Sequence, residues 1–135
     1  MAYKIEEIEG IGPSFGKKLE TAKIVSTDDL LERCGDAKGR KAVAATTGIG
    51  ETQLLKWANM ADLMRISGVG RQYAELLEAA GVDTVKELKQ RNSENLTAAM
   101  RQINEKKHLA KTSPSSSLVQ GWVDQAKKTE PRITY

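Results

Sequence analysis

The sequence has one cysteine, one histidine, three prolines and 4% aromatic residues in 135 positions. Each scarcity excludes something. A lone cysteine, Cys34, cannot close an internal disulfide, which removes the stapled secreted scaffolds and fits a reducing compartment. His108 has no cysteine at ligand spacing, so no zinc set is expected. No apolar run approaches the ~20 residues that span a bilayer. The charged opening, Met1-Ala2-Tyr3-Lys4-Ile5-Glu6-Glu7, lacks the apolar centre of a signal peptide. A cytoplasmic protein with no membrane partner is expected. No Ser/His/Asp order, P-loop or dinucleotide glycine fingerprint is present. Catalytic residues, metal, cofactors and a small-molecule substrate are therefore not expected, and the chain does not read as an enzyme.

What is abundant favours helix. Ala, Leu, Lys and Glu are common, and 39% hydrophobic with 29% charged residues is enough for a packed core. Alternating β-branched runs are scarce, so the expected class is all-α. The net charge of +3 is unevenly spread. Residues 1–63 carry nine Lys/Arg against ten Asp/Glu, and residues 64–135 carry twelve against eight. An anionic partner held by electrostatics belongs in the second half.

The chain contains an internal duplication. Ile8-Glu9-Gly10-Ile11-Gly12 recurs as Ile66-Ser67-Gly68-Val69-Gly70, 58 positions on. The same offset pairs Leu19 with Leu77, Ile24 with Val82, Leu30 with Leu88 and Arg33 with Arg91. A further glycine pair, Thr47-Gly48-Ile49-Gly50, sits inside the first copy. Aligning Trp57 with Trp122 places Ser113-Pro114-Ser115 where 48–50 stood, an offset of 65, so the second copy gains length around 104–112. The expected organisation is repeat one over 1–63, repeat two over 64–128 with a degenerate second hairpin, and a flexible tail over 129–135.

Helical periodicity follows each Gly-hydrophobic-Gly. Phe15 with Leu19, and Tyr73 with Leu77, share a helix face. Ser26 and Thr84 suit N-caps, with a capping box expected at Thr84–Glu87. Gly35 and Gly81 suit helix stops. Asn92 can start a long helix with the stripe Leu96, Met100 and Ile103. The matching helix of copy one, near 36–45, is weakened by Gly39. Trp57 and Trp122 occupy equivalent positions and read as core, as does Tyr73.

A tight turn between helices needs positive φ or close chain approach, which glycine meets. The helix that follows presents free N–H groups, a natural place for phosphate oxygens. These motifs resemble the helix-hairpin-helix family, whose pattern is hydrophobic-x-Gly-hydrophobic-Gly with a small residue four positions on. Residues 8–12 with Gly16 fit, 66–70 with Ala74 fit best, and 47–50 fit with Leu54 in place of the small residue. The paired arrangement also resembles a bacterial family of tandem hairpin repeats without assigned biochemistry. The resemblance implies two tandem copies of a paired, SAM-domain-like helix-hairpin-helix unit in one helical bundle. It further implies contact with the DNA sugar-phosphate backbone without base reading. Carried over, the candidate contacts are Gly10, Gly12, Gly48, Gly50, Gly68 and Gly70, with Lys17, Lys18, Lys56 and Arg71 nearby. The basic run adds Lys106 and Lys107, ahead of Lys111.

Two departures bear on this. Members that bind DNA often carry Lys or Arg two positions after the second glycine, where this chain has Ser14, Thr52 and Gln72. Glu9 and Glu51 flank two turns and repel phosphate. Two functions therefore stay open: a non-sequence-specific DNA-binding module, or a helical protein-interaction adaptor whose glycines only shape the fold.

Overall fold

Side-chain caps set where most of the helices start. Ser26, Asp36, Thr84, Asn92 and Ser115 each accept a backbone N–H three residues on. In the computed structural model, which describes residues 3–135, a 3-10 turn (Ile5–Glu7) precedes eight α-helices. These are α1 (Pro13–Thr21), α2 (Thr27–Cys34), α3 (Ala37–Thr47), α4 (Glu51–Leu63), α5 (Arg71–Ala79), α6 (Val85–Leu88), α7 (Ser93–Lys107) and α8 (Ser116–Lys127). Among the described residues there is no strand, only an isolated bridge between Lys4 and Ser26. Among the described residues no helix is long and apolar enough to cross a membrane.

The reciprocal capping box forms at Ser26, not at Thr84. Asp29 Oδ2 accepts from Ser26 N at 3.2 Å while Ser26 Oγ accepts from Asp29 N at 3.1 Å. Thr84 Oγ1 still accepts from Glu87 N, but the Glu87 carboxylate turns to Arg91 at 3.7 Å instead. Gly39 does not break α3. A Cβ there would lie 2.0 Å from the Arg33 carbonyl oxygen, so the glycine lets α3 start hard against the end of α2.

One contiguous core runs through both halves of the chain. The positions paired at offset 58 are buried alike: Ile8 and Ile66, Leu19 and Leu77, Ile24 and Val82, Leu30 and Leu88 are all fully enclosed. Leu96 and Met100 of α7 join them, with Ile103 partly buried. Asp62, at the end of α4 and 1% exposed, ties the halves together. Its Oδ2 accepts Val85 N at 2.9 Å, and its Oδ1 pairs with Arg65 at 2.6 Å.

The segment 129–135 is irregular but held, where a flexible tail was expected. Ile133 is buried, Thr134 N donates to Gly35 O at 2.8 Å, and Arg40 donates to Thr134 O at 2.7 Å. Gly35 serves this contact rather than a left-handed stop. Its φ is −67°, and a Cβ would lie 2.7 Å from the Arg132 carbonyl oxygen. Arg40 is 4% exposed, with its guanidinium also donating to Cys34 O.

Candidate functional site

The turns at 8–12 and 66–70 share one backbone. Gly10 has φ +96° and Gly68 +90°. Ile11 N donates to Ile8 O at 3.1 Å, and Val69 N to Ile66 O at 3.0 Å. Ile11 and Val69, between the glycines, are buried as plugs. Each turn rests on a tryptophan. A Cβ at Gly10 would sit 3.4 Å from Trp57 Nε1, and one at Gly68 3.3 Å from Trp122 Nε1. Phe15 meets Trp57 and Tyr73 meets Trp122, each pair at 5.1 Å between ring centroids. Both tryptophans are buried. The first glycine of these two turns is thus required by its left-handed backbone, while the ring beneath leaves a Cβ ordinary contact at Gly10 and slightly tight contact at Gly68.

At 47–50 the left-handed residue is Gly48, φ +76°, which ends α3 by donating to Ala44 O at 2.8 Å. Ile49 is the plug. In the second copy the corresponding helix end is His108, φ 52°, which donates to Asn104 O at 2.8 Å. The extra residues then loop out, pinned by the buried Asn104 side chain, which bonds both N and O of Ala110. Pro114 is buried where Ile49 is, and Ser115 starts α8.

The second glycine behaves differently. Gly12, Gly50 and Gly70 are the N-caps of α1, α4 and α5, and no side chain caps those helices. Their φ values, −92°, −64° and −94°, belong to extended backbone that any residue adopts. A Cβ at any of them would meet nothing within 4 Å. Neither backbone strain nor packing asks for glycine there, and Ser, Asn or Asp would cap better. The five helices outside these turns all have a capping side chain. In the degenerate turn, Ser115 Oγ itself accepts Leu118 N at 3.2 Å, which closes that N-terminus.

The candidate cations fall into separate settings. Lys17, Lys18, Lys56, Arg71, Lys106 and Lys107 are all exposed. Lys18 lies 5.6 Å from the centre of the Phe15 ring. Arg71, the first residue of α5, is already engaged. Its Nε donates to Glu9 Oε2 at 2.6 Å, and its Nη2 pairs with the same oxygen. The turns at 8–12 and 66–70 are therefore neighbours. Glu75, one helical turn beyond Arg71, has its carboxyl pushed upward by burial and then by the Glu9 charge.

Lys106 and Lys107 end α7, and neither lines the cleft at the start of α5. The residue of that basic run that reaches it is Lys111. Lys111 N donates to Gln72 Oε1 at 3.2 Å, and Tyr73 Oη donates to Thr112 O at 3.2 Å. Lys111 thereby shares an open cleft of about 450 Å³ with Glu7, Gly70 and Arg71. Sequence reading located the extra residues of copy two but not their return onto α5. The one available signal was Gln72, a side-chain acceptor where a cation was expected.

A larger cleft, about 600 Å³, lies elsewhere, between α6 and the segment 131–135. Asp62, Asp83 and Glu87 line it against a single lysine, Lys86, so it offers phosphate little. Among the described residues no group of three or more His, Cys, Asp or Glu side chains could hold a metal ion. Cys34 is fully buried, and burial pushes its thiol up to about 11.

The fold thus defines an all-helical protein with three open helix starts behind glycine turns. Residues 9–129 match the family described as Domain of unknown function (DUF4332), and the chain belongs to that family. No curated protein and no solved structure matches the chain.

Proposed function

We propose that the chain is a tandem pair of helix-hairpin-helix units, residues 1–63 and 64–128, that grips the backbone of nucleic acid without reading its sequence. The tandem reading is supported by hydrogen bonds that recur at offset 58. Gly16 N to Gly12 O and Ala74 N to Gly70 O are both 2.9 Å, and Ile24 N to Leu19 O matches Val82 N to Leu77 O.

The observation that carries the function is the second glycine of each intact turn. Gly12, Gly50 and Gly70 keep open space over uncapped helix N-termini, at positions where the fold itself asks for no glycine. Backbone amides that no side chain caps suit phosphate oxygens that must approach closely. The contacts are the turn backbones at Gly10, Gly12, Gly48, Gly50, Gly68 and Gly70, supported by Lys17, Lys18, Lys56 and Arg71. Lys111 joins them at the Gly70 cleft, with Lys106 and Lys107 supplying charge from further off.

The test is a salt titration of binding to fluorescent duplex DNA of unrelated sequences. With three phosphates engaged, log K against log salt has a slope of about −2.7, so affinity falls about 40-fold between ~50 and ~200 mM. Affinity is equal across sequences. No binding to duplex, junction or single-stranded DNA at ~50 mM salt sinks the reading. A protein partner that survives moderate salt, without DNA binding, is instead the signature of an adaptor.

A further inference from the structure

The two paired turns are not charged alike. Glu9 of the first turn corresponds to Ser67 of the second, and Arg71 of the second corresponds to Pro13 of the first. One copy supplies only the acid and the other only the base. The Ser67 backbone N–H is occupied by Gln125 Oε1 at 2.9 Å, so that side of the contact is uncharged and satisfied. The Glu9 carboxylate meets Arg71 through Nε and Nη2 on a single oxygen, with both side chains nearly half exposed. A planar guanidinium takes a phosphate in the same manner.

We infer that Glu9 is an internal stand-in for phosphate, which holds Arg71 in the free protein and must be exchanged for a backbone phosphate when nucleic acid binds at the turn 66–70. This rests on the nucleic-acid reading above. Only the second copy is gated in this way, because Pro13 gives the first copy no cation to hold. An exposed ion pair is worth little in water, so the gate is shallow: removing it tightens binding by about two- to five-fold. A shallow gate selects for partners that present several phosphates at once, since one phosphate gains little by displacing one carboxylate.

The experiment measures duplex DNA affinity for the full chain, Glu9→Gln, Arg71→Gln, the double variant, and Glu51→Gln. Glu51 begins α4 beside another open turn and pairs with no cation among the described residues. It therefore reports the general effect of losing one negative charge. The expected result is that Glu9→Gln tightens binding about two- to five-fold and more than Glu51→Gln does. Arg71→Gln should also cost more in the Glu9→Gln background than in the parent. Binding by the parent with equal effects of Glu9→Gln and Glu51→Gln overturns the inference and leaves the nucleic-acid reading standing. Absence of binding by both the parent and Glu9→Gln overturns both. Circular dichroism on each variant confirms that the helices are intact.

Discussion

Glu9 Oε2 accepts Arg71 Nε at 2.6 Å, joining residues 62 positions apart and closing the space between two glycine turns. Both side chains are close to half exposed, at 45% and 46%. Such a pair contributes at most about 1 kcal/mol, because water screens it and two side chains must be ordered. Arg71→Gln should therefore shift the urea unfolding free energy by less than about 1 kcal/mol. A loss of twice that size would mean the pair holds the two turns together rather than occupying a cation.

Lys23 offers a test of the duplication at the backbone. It has φ 63°, and its counterpart 58 positions on is Gly81 with φ +92°. Both follow the end of the helix after a glycine turn, and only glycine adopts that conformation without strain. Lys23→Gly should raise stability by about 0.5–1 kcal/mol, and Gly81→Lys should lower it by about 1–2 kcal/mol. The same sign of change in both variants would show that the two sites are not equivalent.

Asp62 is the buried joint between α4 and α6. Removing its carboxylate leaves Val85 N–H without a partner and Arg65 without its ion. Asp62→Ala should cost about 2–4 kcal/mol, and Asp62→Asn less, since an amide oxygen can still accept from Val85. Equal losses for Ala and Asn would show that the charge, not the cap on α6, matters.

The Cys34 thiol is raised to about 11 by burial, so the native protein keeps it protonated where an unfolded chain, near 9.0, begins to ionise. The unfolded state then binds fewer protons than the native one. The stability this confers is fully present below about pH 9 and is lost as pH rises towards about 11. Cys34 should also resist a thiol-specific reagent at pH 8 until urea unfolds the chain. Cys34→Ala should remove the Cys34 part of the alkaline loss. Rapid native-state labelling would contradict the burial.

Much of this fold was legible because its signals are local or repeat in register. The glycine turns, the offset of 58 and the tryptophan positions all depend on residues within one copy. Long-range partners left no periodic trace. Nothing in the pattern around Glu9 points at Arg71, and nothing around Gly35 points at the Arg132 carbonyl. The burial of Arg40 has no sequence sign because its acceptors are backbone oxygens, which carry no sequence signature. Gly39 looked like a helix breaker because its reason, the Arg33 carbonyl, lies across a tight turn. For the candidate site, the motif gave the glycines but could not separate those the left-handed backbone requires, Gly10, Gly48 and Gly68, from Gly12, Gly50 and Gly70, which it does not.

That separation supplies the most direct measurement. The triple variant Gly12→Ser, Gly50→Ser, Gly70→Ser gives each open helix its own cap and places a hydroxyl where phosphate would sit. Unfolding free energy and DNA affinity are measured on the same preparation. Stability should hold or rise by a few tenths of a kcal/mol per site. DNA affinity should fall about tenfold or more, the scale of one lost charge-assisted hydrogen bond. Unchanged affinity in the folded variant would contradict the claim that these glycines are kept open for phosphate. So would a loss of stability beyond about 1 kcal/mol per site, since the fold would then require the glycines after all.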